Sequence, residues 1–204
     1  MRCFHGIGRS RMRGSSVNRV LAAALCAGLL AAPQGAQALN AAYISSKGRA
    51  APPSGATALC QTYDWACAVS VERNAVTGDQ IRTVRAVNLA INRRTRSIAD
   101  SRQYGTAETW ALPTRRGGDC EDFALAKKRE LIRRGIEPQR LLIATVLDRK
   151  RNPHAVLVFR SDRGDLVLDN LTDRIKPWQA TRYLFLRMQD PDSPSRWMKV
   201  FRGG

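Results

Sequence analysis

The stretch most suggestive of chemistry is Gly-Gly-Asp-Cys-Glu-Asp-Phe-Ala, residues 117–124, where a single cysteine lies among carboxylates. Cys120 has three acidic neighbours, namely Asp119, Glu121 and Asp122. The residues that follow predict a helix that starts at the cysteine, and a helix N-terminus favours the thiolate, the nucleophilic form of the side chain. The carboxylates oppose that ionisation. Either the thiol is inert or another group offsets their charge.

A nucleophilic cysteine needs a base and a group that orients the base. His154 is the only histidine beyond residue 38, and it opens a β-rich run over 154–160. Asp169 lies near the far end of the next run, 165–170, and the residues between the runs predict a hairpin turn. Cross-strand neighbours lie about 5 Å apart, so folding this hairpin brings the carboxylate within reach of the imidazole.

These residues predict a triad of Cys120 as nucleophile, His154 as base and Asp169 as orienting group. Each has an ordinary alternative. A lone cysteine at a helix start is usually structural, a lone histidine that begins a strand is usually on the surface or satisfied in the core, and an aspartate there can simply end a strand. The combination on one helix start and two paired strands favours catalysis.

The elements that must position this set form two groups. A capping-box pair, Thr77 and Gln80, opens a predicted helix over about 80–98, and a second helix is predicted over about 120–134 before Gly135. Five strand candidates follow, at 140–148, 154–160, 165–170, 182–188 and 197–201. Helices followed by an antiparallel sheet indicate the α+β class.

Residues 1–38 have the three parts of a secretory signal peptide in order. An arginine-rich start without acids precedes the apolar run 20–32, and Ala-Gln-Ala at 36–38 is a small-residue cleavage site. An uncleaved anchor is the alternative. Cleavage predicts a periplasmic or secreted protein. A flexible leader is predicted over 39–57, where small residues, Pro and Gly are frequent, followed by one domain over 58–204 without a further membrane-length apolar run.

The distribution of the positive charge argues against a nucleic-acid partner. Removing the signal lowers the net charge from +17 to +12, but the arginines are scattered and no helix combines a basic face with interleaved aromatics. An exported protein also rarely meets nucleic acid. We therefore interpret the basic residues as a solvated surface that is attracted to anionic envelope components.

Three cysteines remain after cleavage, an odd number for an oxidising compartment. Cys60 and Cys67 enclose a short loop and can form a disulfide, which leaves Cys120 free. Zinc is disfavoured because a structural site needs four close Cys or His ligands. The chain beyond residue 38 has one histidine, His154, and no close cluster of Cys and His.

The motif Gly-Gly-Asp-Cys-Glu-Asp-Phe-Ala, followed by "HAVLVFR" and "LVLDNLTDRIKPW", resembles the bacterial transglutaminase-like cysteine peptidases, a family that includes the LapG-type periplasmic proteases. "VNLAIN", "YG" and "TWALP" upstream also fit. The resemblance implies a papain-like α+β fold with Cys120, His154 and Asp169 as the triad. It implies a peptidase that acts on protein substrates through a thioester; an acyl transferase with the same triad and a non-catalytic calcium-binding module are the alternatives. This small basic chain is more similar to short members of the family than to the LapG-type proteases.

The acids beside the cysteine suggest an answer to the charge problem. Glu121 falls in the middle of the buried side of the predicted helix, where an unpaired carboxylate is costly, and Asp119 can reach the same point. In LapG-type members the acids on either side of the cysteine help to bind calcium, so Asp119 and Glu121 are predicted calcium ligands. The alternative is that the acids only cap the helix and complement its dipole.

Overall fold

The computed structural model describes residues 42–70 and 74–203. The predicted signal peptide, 1–38, lies outside the described residues. Within the described ranges, every helix is too short or too polar to cross a membrane.

Four α-helices lie entirely within the described ranges and precede most of the sheet. They are α1 (Leu59–Thr62), α2 (Gly78–Arg94), α3 (Asp100–Gln103) and α4 (Cys120–Arg133). The predicted capping box is confirmed, because the Gln80 amide donates to the Thr77 hydroxyl and the Gln80 side chain accepts from the Thr77 amide. Helix α2 ends four residues earlier than predicted because Thr95 turns to an extended backbone, and Ser97 then forms a bridge with Gly118.

In the part of the chain that the structure describes, one seven-stranded antiparallel sheet contains all the predicted strands. Its members are β1 (Arg49–Ala50), β2 (Leu141–Leu147), β3 (Pro153–Ser161), β4 (Gly164–Leu168), β5 (Lys176–Pro177), β6 (Leu184–Asp190) and β7 (Ser193–Gly203). Their spatial order is β1-β7-β6-β2-β3-β4-β5, with every neighbouring pair antiparallel. The α+β prediction is confirmed.

The sheet has an apolar cluster on each of its two faces. Successive side chains along a strand point to opposite faces. Leu141 and Ile143 of β2 join one apolar cluster with residues of α2 and α4, whereas Leu142 and Ala144 join a second cluster on the opposite face. Helix α4 packs against β3 and β2. The first residue of this helix is thereby held against the strand that carries the histidine.

Part of the segment predicted as a flexible leader, 39–57, packs against the rest of the fold. Ile44 is buried in the second cluster, and its amide donates to Asp165 Oδ2 over 2.7 Å. Arg49 and Ala50 pair with β7 and extend the sheet. Composition suggested a loose segment, but edge-strand pairing needs backbone groups rather than a distinctive side-chain pattern.

The predicted disulfide is confirmed between Cys60 and Cys67, whose Cα atoms lie 5.5 Å apart. It joins α1 to the 3₁₀ turn Asp64–Cys67. Leu59 and Ala66, one from each of these two short elements, are buried in the helix-side cluster. The crosslink therefore holds together two short elements that each contribute a residue to the core.

Lys128 lies on the buried side of α4, where a lysine ordinarily extends its amine to solvent. Here the residue is fully buried, and Nζ donates to Gln189 Oε1 over 2.8 Å. The same oxygen accepts from the Ile143 amide, and the Gln189 amide group donates to the carbonyls of Ala66 and Pro194. Burial lowers the pKa of Lys128 to about 7.

Candidate active site

Cys120 is the first residue of α4, and its sulfur faces β3. The Ala155 amide donates to Sγ over 3.3 Å, and the thiol donates to Glu121 Oε2 over 3.1 Å. Ala155 is the residue directly after His154. The sulfur therefore lies against the same strand end that carries the imidazole.

His154 and Asp169 are brought together by the β3–β4 hairpin. Leu157 pairs with Leu168, a register that places position 156 opposite 169 as the sequence predicted. His154 Nε2 lies 2.9 Å from Asp169 Oδ1, with both side chains buried. Because Nε2 is occupied by the carboxylate, Nδ1 is the ring nitrogen that could accept a proton.

Asp169 has two further donors, one of which the sequence did not reveal. The Leu171 amide donates to Oδ1 over 3.0 Å, and the buried Tyr183 hydroxyl donates to Oδ2 over 2.6 Å. The Tyr183 ring meets the His154 ring edge to face at 6.0 Å. Burial alone would raise the pKa of Asp169, but the hydrogen bonds from His154, Leu171 and Tyr183 bring it below its usual value.

Tyr183 lies just before β6, and Arg182 precedes it in the left-handed region with φ 60°. The Tyr183 amide donates to Thr181 Oγ1, which fixes the entry to the strand. The run Arg-Tyr-Leu-Phe-Leu-Arg-Met indicated a strand and nothing more. No local sequence signal separates a core tyrosine from one that supports a carboxylate far along the chain.

An acidic cluster lies beside the sulfur. Carboxylate oxygens of Asp100, Asp119 and Glu121 lie within 4.8 Å of one another. Asp119 and Glu121 were predicted together, whereas Asp100, at the first position of α3, was missed because 18 residues separate it from Asp119. The Asp100 amide donates to Asp119 Oδ2 over 3.3 Å, which joins the two segments.

This cluster fits a hard cation on its own chemistry. Asp100 Oδ1 and Asp119 Oδ1 are buried and have no hydrogen-bond partner in the part of the chain that the structure describes. Capping does not account for Asp119, whose side chain makes no cap hydrogen bond to α4. Unpaired buried oxygens are costly, and carboxylate oxygens are the ligands that Ca²⁺ prefers.

Asp122 has a separate role. Its Oδ1 accepts from the Ala111 amide over 3.0 Å, and the side chain is fully buried. A Cβ on Gly118 would lie 2.5 Å from Asp122 Oδ2, so glycine is required for this approach. Gly117 has φ +127°, and a Cβ there would collide with the Arg96 carbonyl. The two glycines allow the segment before Cys120 to pack tightly.

The electrostatics of the thiol are the reverse of what the helix N-terminus alone predicts. Burial, the charge of Glu121 and the hydrogen bond to that carboxylate raise the pKa of Cys120 well above its usual value. Burial also raises the pKa of Glu121 to about 8 and that of Asp119 in the same direction. A positive charge at the cluster would favour the ionised forms of the thiol and of these carboxyl groups.

Comparisons with known proteins identify the family and the fold of this chain. A family model described as bacterial transglutaminase-like cysteine proteinase BTLCP matches residues 46–203. Calcium-bound LapG of Legionella pneumophila is a structural match with TM-score 0.51 and 22% identity, covering 64% of this chain and 74% of LapG. Two further LapG structures from this organism, one of them EGTA-treated, match with TM-score 0.44 and 21% identity. They cover 66% and 65% of this chain and 80% and 78% of LapG. No curated protein sequence matches significantly. The first structural match shows a shared fold.

Proposed function

Because the chain belongs to the bacterial transglutaminase-like cysteine proteinase family, we propose that it is an exported peptidase acting in the periplasm through Cys120, His154 and Asp169. The observation that carries this proposal is the placement of the thiol against the Ala155 amide, next to an imidazole whose Nε2 lies 2.9 Å from a buried carboxylate. The side chains proposed as nucleophile, base and orienting group are therefore neighbours at one strand end.

In the proposed reaction, His154 accepts the thiol proton at Nδ1 and the sulfur attacks the carbonyl carbon of a peptide bond. The imidazolium then protonates the leaving amine, which leaves a thioester on Cys120. Water, activated by the neutral imidazole, hydrolyses the thioester and restores the thiol. Backbone N–H groups in the first turn of α4 have no intrahelical acceptors and would stabilise the oxyanion.

Asp169 remains ionised throughout this cycle. Its carboxylate holds the imidazole orientation and stabilises the imidazolium. Three donors, from His154, Leu171 and Tyr183, keep that carboxylate fixed. Asp169 therefore orients the base and takes no proton.

We propose calcium as the ion of the acidic cluster, with Asp100, Asp119 and Glu121 as its protein ligands. Bound there, the ion would supply positive charge that offsets the carboxylates and favours the thiolate. The capping alternative predicts no response to the ion.

Melting temperature and activity with EGTA and with added Ca²⁺ test the calcium proposal, for the wild type, Asp100→Ala and Glu121→Ala. Exposed Asp79→Ala is the control. An unchanged wild type in both measurements would refute the calcium proposal.

The test of the peptidase proposal compares envelope proteins from cells that express the wild type with those from cells that express Cys120→Ala. New chain termini that appear only with the wild type identify the substrate. A labelled amine added to the same extract separates hydrolysis from acyl transfer, because its incorporation marks transfer. Absence of both products, with a thiol no more reactive than free cysteine, would favour a non-catalytic binding module.

A further inference from the structure

A cleft lined by arginines runs beside α4, outside the triad. It encloses about 390 Å³ between the end of α2, the exposed side of α4 and the loop before Cys120. Five arginines line it, namely Arg94, Arg96, Arg115, Arg129 and Arg133.

The protein neutralises these arginines only in part. All five are exposed, and none has a side-chain hydrogen bond or ion pair to any residue in 42–70 or 74–203. Glu130 also lines the cleft, but its Oε1 pairs with Arg134 Nε over 2.7 Å. The hydrogen bond from Arg134 lowers the pKa of Glu130, and the charges of Arg133 and Arg94 help to lower it. Five like charges around one cleft repel one another, and an anionic ligand would remove that cost.

The lining of the cleft and the spacing of its arginines favour a polypeptide ligand. Part of its wall is apolar, formed by Ile91, Leu112 and Ala126. Arg129 and Arg133 lie one turn apart on α4, about 6 Å along the axis. Alternate side chains of an extended peptide repeat at about 6.6 Å. Carboxylates at every second residue can therefore meet successive guanidinium groups, which bind carboxylates in a bidentate manner.

The cleft also lies next to the proposed catalytic centre. Gly117, three residues before Cys120, is part of its wall, and the turn from Thr114 to Gly117 is closed by two backbone hydrogen bonds. Gly117 connects this end of the cleft to Cys120, the first residue of α4.

We infer that this cleft binds an acidic, extended segment of the protein substrate and so selects what the triad cuts; this inference rests on the proposed peptidase function. The arginines act in binding and take no part in bond breaking. Substrates would carry several Asp or Glu residues at alternate positions close to the cleaved bond.

The test measures binding without turnover. The full chain with Cys120→Ala is titrated into fluorescein-labelled (Glu-Ala)₆ and (Gln-Ala)₆ peptides, and anisotropy is followed at about 20 and 150 mM salt. We expect the glutamate peptide alone to bind, more weakly at the higher salt. Because no cleavage is read, a failure of the peptidase proposal leaves this result intact.

Variants locate the binding site. Arg129→Gln with Arg133→Gln should weaken binding of the glutamate peptide about tenfold. The control pair, Arg82→Gln with Arg85→Gln, removes the same charge from exposed positions in the first half of α2 that do not line the cleft, and it should change the affinity less than twofold. Equal losses in both pairs, or equal binding of the glutamine peptide, would overturn the inference.

Anionic vesicles provide the competing outcome. Vesicles of phosphatidylglycerol are mixed with the same proteins and sedimented. Vesicle binding that is lost in the α4 pair, without binding of the glutamate peptide, would overturn the peptide assignment in favour of a lipid surface. Melting curves show whether each variant is folded, and single Arg133→Gln replaces the pair if the double variant is not.

Discussion

Replacing Tyr183 with phenylalanine tests whether the carboxylate behind the histidine is held as the structure indicates. The change removes one hydroxyl, which donates to Asp169 Oδ2 over 2.6 Å between two buried side chains. A hydrogen bond to a charged group contributes about 1.5–3 kcal/mol, and the acceptor left behind is buried. At 2–4 °C per kcal/mol for a domain of this size, we expect the melting temperature to fall by about 3–12 °C.

The matched control is Tyr43→Phe, because the Tyr43 hydroxyl donates to the neutral carbonyl of Ser161 over 3.1 Å, away from the triad. It should cost about 0.5–1.5 kcal/mol. The hydrogen bonds to Asp169 bring its folded pKa below the unfolded value. The extra cost of Tyr183→Phe should therefore be complete above the unfolded pKa and shrink as the pH falls through the folded pKa.

The same variant should slow thiol alkylation and peptide cleavage, whereas Tyr43→Phe should leave both unchanged. Calorimetry and iodoacetamide kinetics at several pH values provide the readouts. If Tyr183→Phe destabilises the protein no more than Tyr43→Phe and alters neither rate, the proposed positioning of Asp169 by Tyr183 is wrong.

Two other predictions concern stability. Lys128→Met should stabilise the protein by about 1–4 kcal/mol below pH 7, because a buried charge is removed while Gln189 Oε1 keeps the Ile143 amide as donor. The folded pKa of Lys128 is about 7 and the unfolded value about 10.4, so the gain should shrink as the pH rises between them; urea titrations that show a constant difference would contradict this. Reduction of the Cys60–Cys67 disulfide should cost about 2–3 kcal/mol, and no shift in the urea midpoint on reduction would contradict that estimate.

Local sequence signals predicted most of the elements that hold the site. The capping box located the start of α2, and the hairpin register placed Asp169 within reach of His154. Both depend on residues that are close in sequence, where spacing determines geometry. The pairing of Cys60 with Cys67 was accessible for the same reason.

The contacts that were missed join distant segments. Asp100 reaches the acidic cluster through the Ser97–Gly118 bridge, and Tyr183 reaches Asp169 from the start of β6. The buried position of Lys128 depends on Gln189, which lies 61 residues further along the chain. A helical count can place a side chain on a face, but only the packed sheet determines what it meets there.

The most direct test of the central claim is the rate at which iodoacetamide alkylates Cys120 at pH 7, with Ca²⁺ and with EGTA, followed by mass spectrometry. We predict that with Ca²⁺ the wild type reacts at least about tenfold faster than free cysteine. His154→Ala should lose that advantage while remaining folded, and Asp169→Asn should retain part of it. A wild-type thiol that reacts no faster than free cysteine in either condition, or a fast thiol in His154→Ala, would contradict the triad.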